Sequence, residues 1–282
     1  MKFKKIYVEI LNSCNYQCSY CYKSSIAPRV MTTSEFQLVV DKIRPYTDYI
    51  YLHVLGEPLT HPQFAEILQI AKEANLFVNI TTNGSKLKFH QNALITNSVR
   101  QINISLHDAE ENVPKSSWRN YLDQMIDFSI FASESIYVSL RLWNTTNTKS
   151  REFIEIATDT IYNRFQIRID ELFIKRKSNG VKLSDRIFFH SSPRFEWPDT
   201  ESESKYTYKT CYALRDHIAV LSDGSVVPCC LDADANLKLG NLYSEDLNQI
   251  LSNPRGLRMK EGFERHQIVE KFCSTCGFIL NQ

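Results

Sequence analysis

The 282-residue chain lacks several features that would identify whole classes of protein. No apolar run approaches the roughly 20 residues that a helix needs to cross a bilayer, and the apolar run after the basic start is too short for a signal peptide and contains Glu9. The formal net charge is only +1, which gives no electrostatic argument for a nucleic-acid partner. There is no internal repeat and no low-complexity segment. We therefore expect a cytoplasmic, globular protein with no membrane partner.

The eight cysteines fall into two groups rather than being spread along the chain. In a reducing compartment disulfides are not expected, so grouped cysteines indicate metal binding. The first group is Cys14, Cys18 and Cys21, at the spacing C-x3-C-x2-C directly after an apolar run at 6–11. The second group stands near the end of the chain and consists of Cys211, Cys229, Cys230, Cys273 and Cys276.

The first group has no fourth cysteine near it. Three thiolates can hold three irons of a [4Fe-4S] cluster, whereas a closed electron-transfer cluster normally takes four cysteines. One iron would then be free to bind a further ligand, which is an arrangement suited to chemistry. Zinc is the alternative for this group, because zinc sites also use paired cysteines.

The triplet, with Tyr20 immediately before Cys21, resembles that of the radical S-adenosylmethionine (SAM) enzymes. The resemblance implies that the free iron binds the amino and carboxylate groups of SAM. It also implies that an electron from the cluster splits SAM into methionine and a 5′-deoxyadenosyl radical, which removes a hydrogen atom from the substrate. A flavodoxin- or ferredoxin-type protein is then the electron donor. The protein's own task is to bind, orient and shield, because the cofactor carries the difficult step.

Between the two cysteine groups, apolar β-rich runs alternate with helical stretches, which is the pattern of βα units and a parallel sheet. The predicted strands cover residues 6–11, 49–54, 77–81, 101–106, 136–142 and 165–174. The predicted helices cover residues 32–46, 62–75, 87–97, 118–134 and 149–162. Capping-box signatures stand at Thr32 with Glu35 and at Thr60 with Gln63. Six strands predict an α/β fold with a partial (β/α)6 TIM-like barrel, which the family resemblance also implies.

The end of the second strand is a candidate cofactor site, because parallel α/β folds place their working groups at the C-terminal ends of strands. Gly56, Glu57 and Pro58 resemble the family's GGEP motif, although Leu55 replaces the first glycine. The resemblance implies that these residues meet the amino group of SAM. An ordinary βα turn is the alternative explanation.

The next three strand ends supply further cofactor candidates. Asn83 stands in a Thr-Asn-Gly turn that resembles one often found at this place in the family, and Ser105 aligns with a family position near the SAM ribose. Arg141 lies in an otherwise apolar strand, where a buried guanidinium needs an anionic partner. By resemblance that partner is the SAM carboxylate, and a structural salt bridge to Glu9 or Asp170 is the alternative.

The second cysteine group follows a polar break at 198–204, which we take as the boundary between domains 1–198 and 199–282. Asp223-Gly224 after an apolar run from His217 predicts a β-hairpin. The order C-x12-G-x4-C, a gap, then C-x2-C resembles the SPASM/twitch extensions of radical SAM enzymes, which hold auxiliary [4Fe-4S] clusters. The cysteines here are too few for the two clusters of a full SPASM domain, so the resemblance is to the single-cluster form.

One auxiliary cluster needs four ligands. The resemblance implies that they are the cysteine quartet Cys211, Cys229, Cys273 and Cys276. Cys230 is a spare or a substitute for Cys229, because adjacent residues of a strand point to opposite faces. A structural zinc site made by the same quartet is the alternative.

The resemblance as a whole implies a SAM-dependent radical enzyme that abstracts hydrogen from an unknown substrate. Many SPASM and twitch relatives modify peptides or proteins, but the chain shows no obvious extra domain at either end for grasping a leader peptide. We therefore expect either a small molecule or a docked protein as substrate. One alternative is a non-catalytic iron-sulfur or zinc-binding scaffold, which Gly56–Pro58 and the missing fourth cysteine oppose. The other is a nucleotide- or RNA-modifying enzyme, which the neutral charge disfavours.

Overall fold

The computed structural model describes residues 2–144, 148–169, 180–193, 196–205, 207–208 and 210–278. Within these residues the strands are β1 Lys5–Val8, β2 Tyr49–Tyr51, β3 Phe77–Thr82, β4 Val99–Ser105, β5 Tyr137–Leu142, β6 Val181–Lys182, β7 Ile187–Ser191, β8 His217–Val220, β9 Ser225–Val227 and β10 Gly240–Asn241. The helices are α1 Thr33–Ile43, α2 Phe64–Glu73, α3 Leu87–Thr96, α4 Ala109–Asn112, α5 Trp118–Ala132, α6 Arg151–Phe165, α7 Leu247–Leu251, α8 Pro254–Glu264 and α9 Lys271–Ser274.

The two predicted capping boxes have different outcomes. At the start of α1 the Thr32 hydroxyl accepts from the Glu35 N–H at 3.2 Å, and the Glu35 carboxylate accepts from the Thr32 N–H at 2.8 Å, so this box is confirmed. The apolar positions of α1 then recur every three or four residues and form one fully buried face: Phe36, Val39, Val40 and Ile43. The second box is wrong, because the Thr60 hydroxyl donates to the Glu57 carbonyl at 2.7 Å and α2 begins at Phe64 without a side-chain cap.

Packing divides the chain into two compact units. The first unit comprises Met1–Ser13, Tyr22–Val78 and Phe195–Gln282, and the second comprises Cys14–Cys21 and Asn79–Arg194. The segment that carries the second cysteine group therefore packs with β1, β2 and their helices. The predicted domains 1–198 and 199–282 were drawn from the family resemblance, whereas the two compact units are defined by packing. The predicted boundary therefore stays a prediction.

The first unit has the strand order β10-β9-β8-β1-β2. β1 pairs in parallel with both β2 and β8, and Ile6 is in register with Ile50 on one side and Ile218 on the other. β8 and β9 pair antiparallel around a turn in which Gly224 has a φ of +82°, so the predicted hairpin is confirmed. The C-terminal segment thus supplies a parallel neighbour to the first strand of the chain.

The second unit has the strand order β3-β4-β5-β7-β6. β4 with β5 and β5 with β7 are parallel, while β6 runs antiparallel to β7. One face of these strands is apolar and fully buried, with Ile102, Ile104, Val138, Leu140 and Phe189. The other face is polar: Asn103 is in register with Ser139, whose hydroxyl lies 2.8 Å from His190 Nδ1.

The predicted strand at 165–174 is wrong where the structure describes it. Helix α6 continues to Phe165, Gln166 then takes a left-handed backbone with a φ of +57°, and residues 167–169 form no strand. Residues 170–174 lie outside the described residues. The alternation of apolar and polar residues from Phe165 to Ile169 imitates the period of a strand. Besides β4, the strand that pairs in parallel with β5 is β7.

The predicted α/β class is confirmed, since parallel pairs join β1 to β2, β4 to β5 and β5 to β7, with helices between the strands in chain order. In the described part of the chain, no helix has both the length and the apolar character needed to span a bilayer.

Candidate iron-sulfur centres

The cysteine loop Cys14–Cys21 is fastened to the end of β3 within the second unit. The Asn15 side chain donates to the Ser85 hydroxyl at 2.9 Å, and Asn83 Nδ2 donates to Asn15 Oδ1 at 3.0 Å. The Tyr121 hydroxyl donates to the Asn83 carbonyl at 2.7 Å and holds the same turn from α5. Asn83, a predicted cofactor residue, therefore contacts the cysteine loop through its side chain.

Helix α4 holds the cysteine loop from the end of β4. Asn112 Oδ1 accepts from the Gln17 N–H at 2.8 Å. The Glu111 carboxylate accepts from the Ser19 N–H at 2.5 Å and from the Ser19 hydroxyl at 2.8 Å. Because both residues that flank Cys18 are bound through backbone N–H groups, the position of Cys18 is set by α4. The sequence shows these side chains only as polar residues of a short helix, so their role could not be predicted.

Two sulfur atoms of the cysteine loop, those of Cys14 and Cys18, have N–H donors beside them. Cys14 Sγ accepts from the Tyr16 N–H at 3.3 Å and lies 3.8 Å from Asn83 Nδ2, while Asn112 Nδ2 donates to Cys18 Sγ at 3.2 Å. Burial raises the pKa of Cys18 to about 12. A thiol with so high a pKa becomes a thiolate at neutral pH only when a cation takes the place of its proton, and the N–H donors then stabilise the sulfur's negative charge.

A connected row of side chains runs from Tyr20 to Arg141 across the ends of β4 and β5. The Tyr20 hydroxyl donates to the Asp108 carboxylate, and the Tyr20 ring lies 5.5 Å from the ring of His107. His107, 5% exposed, stacks on Trp143 at 6.2 Å, and Arg141 Cζ lies 5.1 Å from the centre of the Trp143 ring. His107 Nδ1 lies 3.3 Å from both the Trp143 backbone N–H and the Arg141 carbonyl oxygen, and His107 Nε2 lies 3.4 Å from the Asp108 carboxylate.

Ser105 and Arg141 lie side by side in the second unit. They are register partners in the parallel pair of β4 and β5, so their side chains project from the same face. Ser105 is buried and Arg141 is half-buried. Asp170, one of the predicted structural partners of Arg141, lies outside the described residues.

The turn after β2 packs against the backbone that leads into the first cysteine group. Gly56 has a φ of +76°, and a Cβ atom there would lie 2.5 Å from the Leu11 carbonyl oxygen and 2.8 Å from that of Ser13. Only glycine fits this position. The N–H of Glu57, a residue that is 2% exposed, donates to the Ser13 carbonyl at 3.0 Å. The predicted cofactor motif is thus bound directly to the residue before Cys14.

Glu9 is a buried carboxylate, 2% exposed, that joins two strand ends of the first unit. One oxygen accepts from the Leu55 N–H at 3.2 Å, and the other accepts from the N–H and the hydroxyl of Ser222 at 3.1 and 3.0 Å. Burial raises the pKa of Glu9, and these hydrogen bonds limit the rise. Glu9 therefore ties the residue before Gly56 to the end of β8.

The cysteine quartet gathers in the first unit. Cys229 interacts electrostatically with Cys273 and Cys211, and Cys273 in turn interacts with Cys211 and Cys276. All four residues are partly buried. Burial raises the pKa of Cys229 and of Cys273 well above that of a free thiol, and the neighbouring cysteines raise it further. Bringing thiolates together at such a site requires a positively charged centre between them.

Cys230 has different surroundings from the quartet. Its thiol hydrogen-bonds with the Tyr7 hydroxyl and lies in the field of the Lys5 ammonium. The Tyr7 ring packs edge-on against His217 at 5.8 Å, and Lys5 Nζ lies 5.2 Å from the centre of the Tyr7 ring. Burial raises the pKa of Cys230 to about 11, while Tyr7 and Lys5 act to lower it. Cys230 is thus hydrogen-bonded to β1, and it also interacts electrostatically with Cys229 and Cys276.

Asp234 connects the second cysteine group to the segment after Cys21. Its carboxylate accepts from the Tyr22 hydroxyl at 3.1 Å, from the Ser25 N–H and hydroxyl at 3.2 and 3.0 Å, and from the Ser24 hydroxyl. The contacts bring together residues about 210 positions apart in sequence. No sequence pattern indicates them.

Both cysteine groups fit iron-sulfur clusters by their donor chemistry. All eight cysteines are free thiols, and soft thiolate ligands favour iron-sulfur clusters, zinc or Cu(I). Within the described residues, there is no group of three or more His, Cys, Asp or Glu side chains that could hold a single metal ion. A group of three and a group of four match one open and one closed [4Fe-4S] cluster.

Comparison with protein families gives two matches. The model of the Radical SAM superfamily matches residues 8–169, and the model of SPASM, an iron-sulfur cluster-binding domain, matches residues 211–277. The first match contains the three cysteines of the cysteine loop, and the second contains the other five.

Individual relatives agree with these matches. The sporulation killing factor maturation protein SkfB of Bacillus subtilis is 23% identical over 274 residues, which cover 90% of this chain and 66%, just under two thirds, of that protein. The structure of BtrN in complex with AdoMet and 2-DOIA has a TM-score of 0.63 at 15% identity and covers 98% of this chain and 94% of that chain. Streptococcus suis SuiB bound to precursor peptide SuiA has a TM-score of 0.56 at 14% identity and covers 98% and 70%. The two structures share the fold of this chain.

Proposed function

Because the chain belongs to the radical SAM superfamily, we propose that it modifies a peptide or protein by SAM-dependent hydrogen abstraction. The enzyme class and the cofactors, SAM and [4Fe-4S] clusters, follow from the two family matches. When bound, these cofactors supply the reductive cleavage of SAM and the removal of a hydrogen atom from the substrate. The observation that carries the proposal is that all eight cysteines fall inside the two matched segments, three in one and five in the other.

The cysteine groups receive different roles in this proposal. Cys14, Cys18 and Cys21 hold the cluster that binds SAM, and the quartet Cys211, Cys229, Cys273 and Cys276 holds the auxiliary cluster. The hydrogen bond of Cys230 to Tyr7 supports leaving Cys230 outside the quartet. The N–H donors on Cys14 and Cys18 support a thiolate at each of these positions.

The residues proposed to contact SAM are those that match family motifs: Tyr20, Gly56, Glu57, Pro58, Asn83, Ser105 and Arg141. Arg141 offers a fixed positive charge for the SAM carboxylate, because its guanidinium rests over Trp143. Tyr20 is held by Asp108, which keeps its ring in place beside Cys21. The buried Glu57 carboxylate supplies the anionic acceptor that an amino group needs.

A peptide substrate is supported by two of the comparisons. SkfB is named for the maturation of sporulation killing factor, and the SuiB structure contains a precursor peptide. A second candidate substrate is a small molecule, because the BtrN structure is a complex with AdoMet and 2-DOIA. In either case we propose a cytoplasmic enzyme that receives electrons from a flavodoxin- or ferredoxin-type protein.

The proposal is tested anaerobically with the full chain. After reconstitution with iron and sulfide we expect about eight iron atoms per chain, which is two cubes. Reduction with dithionite in the presence of SAM should then release 5′-deoxyadenosine. Two intact clusters without any cleavage of SAM, even when candidate peptides are present, would favour a non-catalytic scaffold.

A further inference from the structure

We propose that Asn112 raises the reduction potential of the cluster held by the cysteine loop, through an N–H···S hydrogen bond to Cys18. The inference rests on the proposed function, because it takes Cys18 as a ligand of that cluster. The observation behind it is the contact of 3.2 Å between Asn112 Nδ2 and Cys18 Sγ, both in the second unit.

The orientation of the Asn112 amide is settled by two backbone groups. The Gln17 N–H can only donate and lies 2.8 Å from Oδ1, whereas the Asp108 carbonyl can only accept and lies 2.8 Å from Nδ2. Reversing the amide would set donor against donor and acceptor against acceptor. The nitrogen therefore faces Cys18, and the two amide hydrogens go to the Asp108 carbonyl and the Cys18 sulfur.

The hydrogen bond to Cys18 is held by its neighbours on both sides. Asn112 binds the N–H of the residue before Cys18, and Glu111 binds the N–H of Ser19 after it. These contacts fix the loop to α4 on either side of the sulfur, so the distance from donor to sulfur does not depend on the N–H···S bond alone. A preorganised donor loses little conformational entropy when charge on the sulfur increases.

Several groups besides Asn112 face the Cys18 sulfur, and they act in different directions. The Asp108 carboxylate and the Cys21 thiol oppose added negative charge, while the Tyr20 hydroxyl contacts the sulfur as a polar partner. Cys18 is only 7% exposed, so water screens these effects weakly. Reduction adds one negative charge to a cluster, and hydrogen bonds to its sulfurs are among the factors that set its potential. An amide donor at Cys18 therefore stabilises the reduced form.

The exposed Cys14 makes a useful contrast with Cys18. Its sulfur lies 3.8 Å from the side-chain amide of Asn83, and the residue as a whole is exposed to water. A longer contact at a solvated atom contributes less to the potential. Cys18 is thus the ligand at which removal of a single amide has the larger effect.

The test uses the full chain with Cys273→Ala and Cys276→Ala, so that the cluster of the cysteine loop is measured alone. Into this parent we introduce Asn112→Asp, which keeps the shape and the acceptor for Gln17 but removes the amide hydrogens. Stepwise reduction followed by electron paramagnetic resonance gives the midpoint potential. At the parent's midpoint, we expect the ratio of reduced to oxidised clusters to fall about tenfold, a shift of about 59 mV to more negative values for a one-electron couple.

Two further variants separate the hydrogen bond from the added charge. Asn112→Ser removes the amide without introducing a carboxylate, and it should shift the midpoint in the same direction by a smaller amount. Asn163→Asp makes the same exchange at an exposed position near the end of α6, a helix that runs away from the C-terminal end of β5, and it should leave the midpoint unchanged.

Failure of the inference and failure of the proposed function give different results. If the parent binds no four-iron cluster, Cys18 is not a cluster ligand and the proposed function fails. If the parent binds about four irons and the Asn112→Asp protein does so with an unaltered midpoint, Asn112 does not tune the cluster. Should Asn112→Asp fail to take up iron, the Asn112→Ser protein decides, and an unchanged midpoint there also overturns the proposal.

Discussion

The two cysteine groups differ in what surrounds their sulfur atoms. In the cysteine loop, side-chain amides and a backbone N–H point at the sulfurs, and Cys14 is exposed. In the quartet, the charged neighbours that act most strongly on Cys229 are other cysteines, and burial dominates its pKa. The chain thus builds one sulfur site with amide donors and an exposed cysteine, and one site in which the cysteines lie beside one another. Three cysteines suit an open, ligand-binding cluster, and four neighbouring cysteines suit a closed auxiliary cluster.

The largest effect should come from emptying the open site. Replacing Cys14, Cys18 and Cys21 together by Ala should abolish the cleavage of SAM, because no ligands remain for the cluster that binds it. About four irons should stay with the chain, since the quartet lies in the other compact unit. Iron content and 5′-deoxyadenosine are the measurements. Loss of both clusters would show that the two sites are not independent.

The next effect distinguishes two neighbouring cysteines within the closed site. Cys229→Ala should remove the auxiliary cluster and leave about four irons, whereas Cys230→Ala should retain about eight. The reason is that Cys229 is grouped with Cys211 and Cys273, while Cys230 is hydrogen-bonded to Tyr7. Iron counts and the electronic spectrum of each variant provide the test. Equal iron loss in both would mean that both thiols are needed.

A pair of glycines compares a left-handed turn with a helix. Gly56→Ala should lower the free energy of unfolding by about 1–3 kcal/mol, because a left-handed residue gains a Cβ that meets backbone oxygens. Gly256→Ala is the matched control in α8, where the nearest side-chain atom, from Leu239, lies 3.5 Å from the new Cβ. It should stabilise by about 0.5–1 kcal/mol through helix propensity.

Thermal unfolding of the holoenzyme measures both glycine variants, and SAM binding is compared in the same samples. Gly56→Ala should also weaken SAM binding, since the turn packs against Ser13 just before Cys14. If Gly56→Ala unfolds at the same temperature as the parent, the close contact of position 56 with Leu11 and Ser13 is contradicted.

The smallest effect is a pH dependence that arises at Glu9. Burial raises its pKa above the ordinary value of 4.5, so above that pH the native state keeps a proton that the unfolded chain has lost. Stability from this group therefore falls as the pH rises through the window between the ordinary and the raised pKa. Glu9→Gln cannot titrate, so its free energy of unfolding relative to the parent should rise across that window. Denaturant unfolding at several pH values measures this difference, and a constant difference would mean that Glu9 ionises normally.

Local patterns predict much of this fold. The capping box of α1 and the Asp223-Gly224 hairpin depend on residues within a few positions of one another, and the structure contains both. The predicted strand at 165–174 was wrong over 165–169, because periodicity alone cannot decide between a strand and the end of a helix. β7, the actual neighbour of β5, is short and follows residues 170–179, of which the structure describes nothing.

The cysteine spacing indicates which residues gather, but it does not indicate what holds them. Asn112 is hydrogen-bonded to a residue about 95 positions away in sequence, and Asp234 to one about 210 positions away. Neither stands in a periodic apolar pattern or in a turn signature. Polar contacts between distant loops are set by the assembled fold, so single-sequence reasoning has no signal for them.

The parallel pairing of β1 with β8 has a consequence for folding during synthesis. The strand Lys5–Val8 leaves the ribosome early, but its partner His217–Val220 follows only about 200 residues later. At a synthesis rate of about 5–20 residues per second, one edge of β1 stays unpaired for roughly 10–40 s. An exposed strand edge invites pairing with other chains during this interval. The nascent chain should therefore depend on chaperones. Ribosome-bound chains stalled before residue 217 should be the species that chaperones bind.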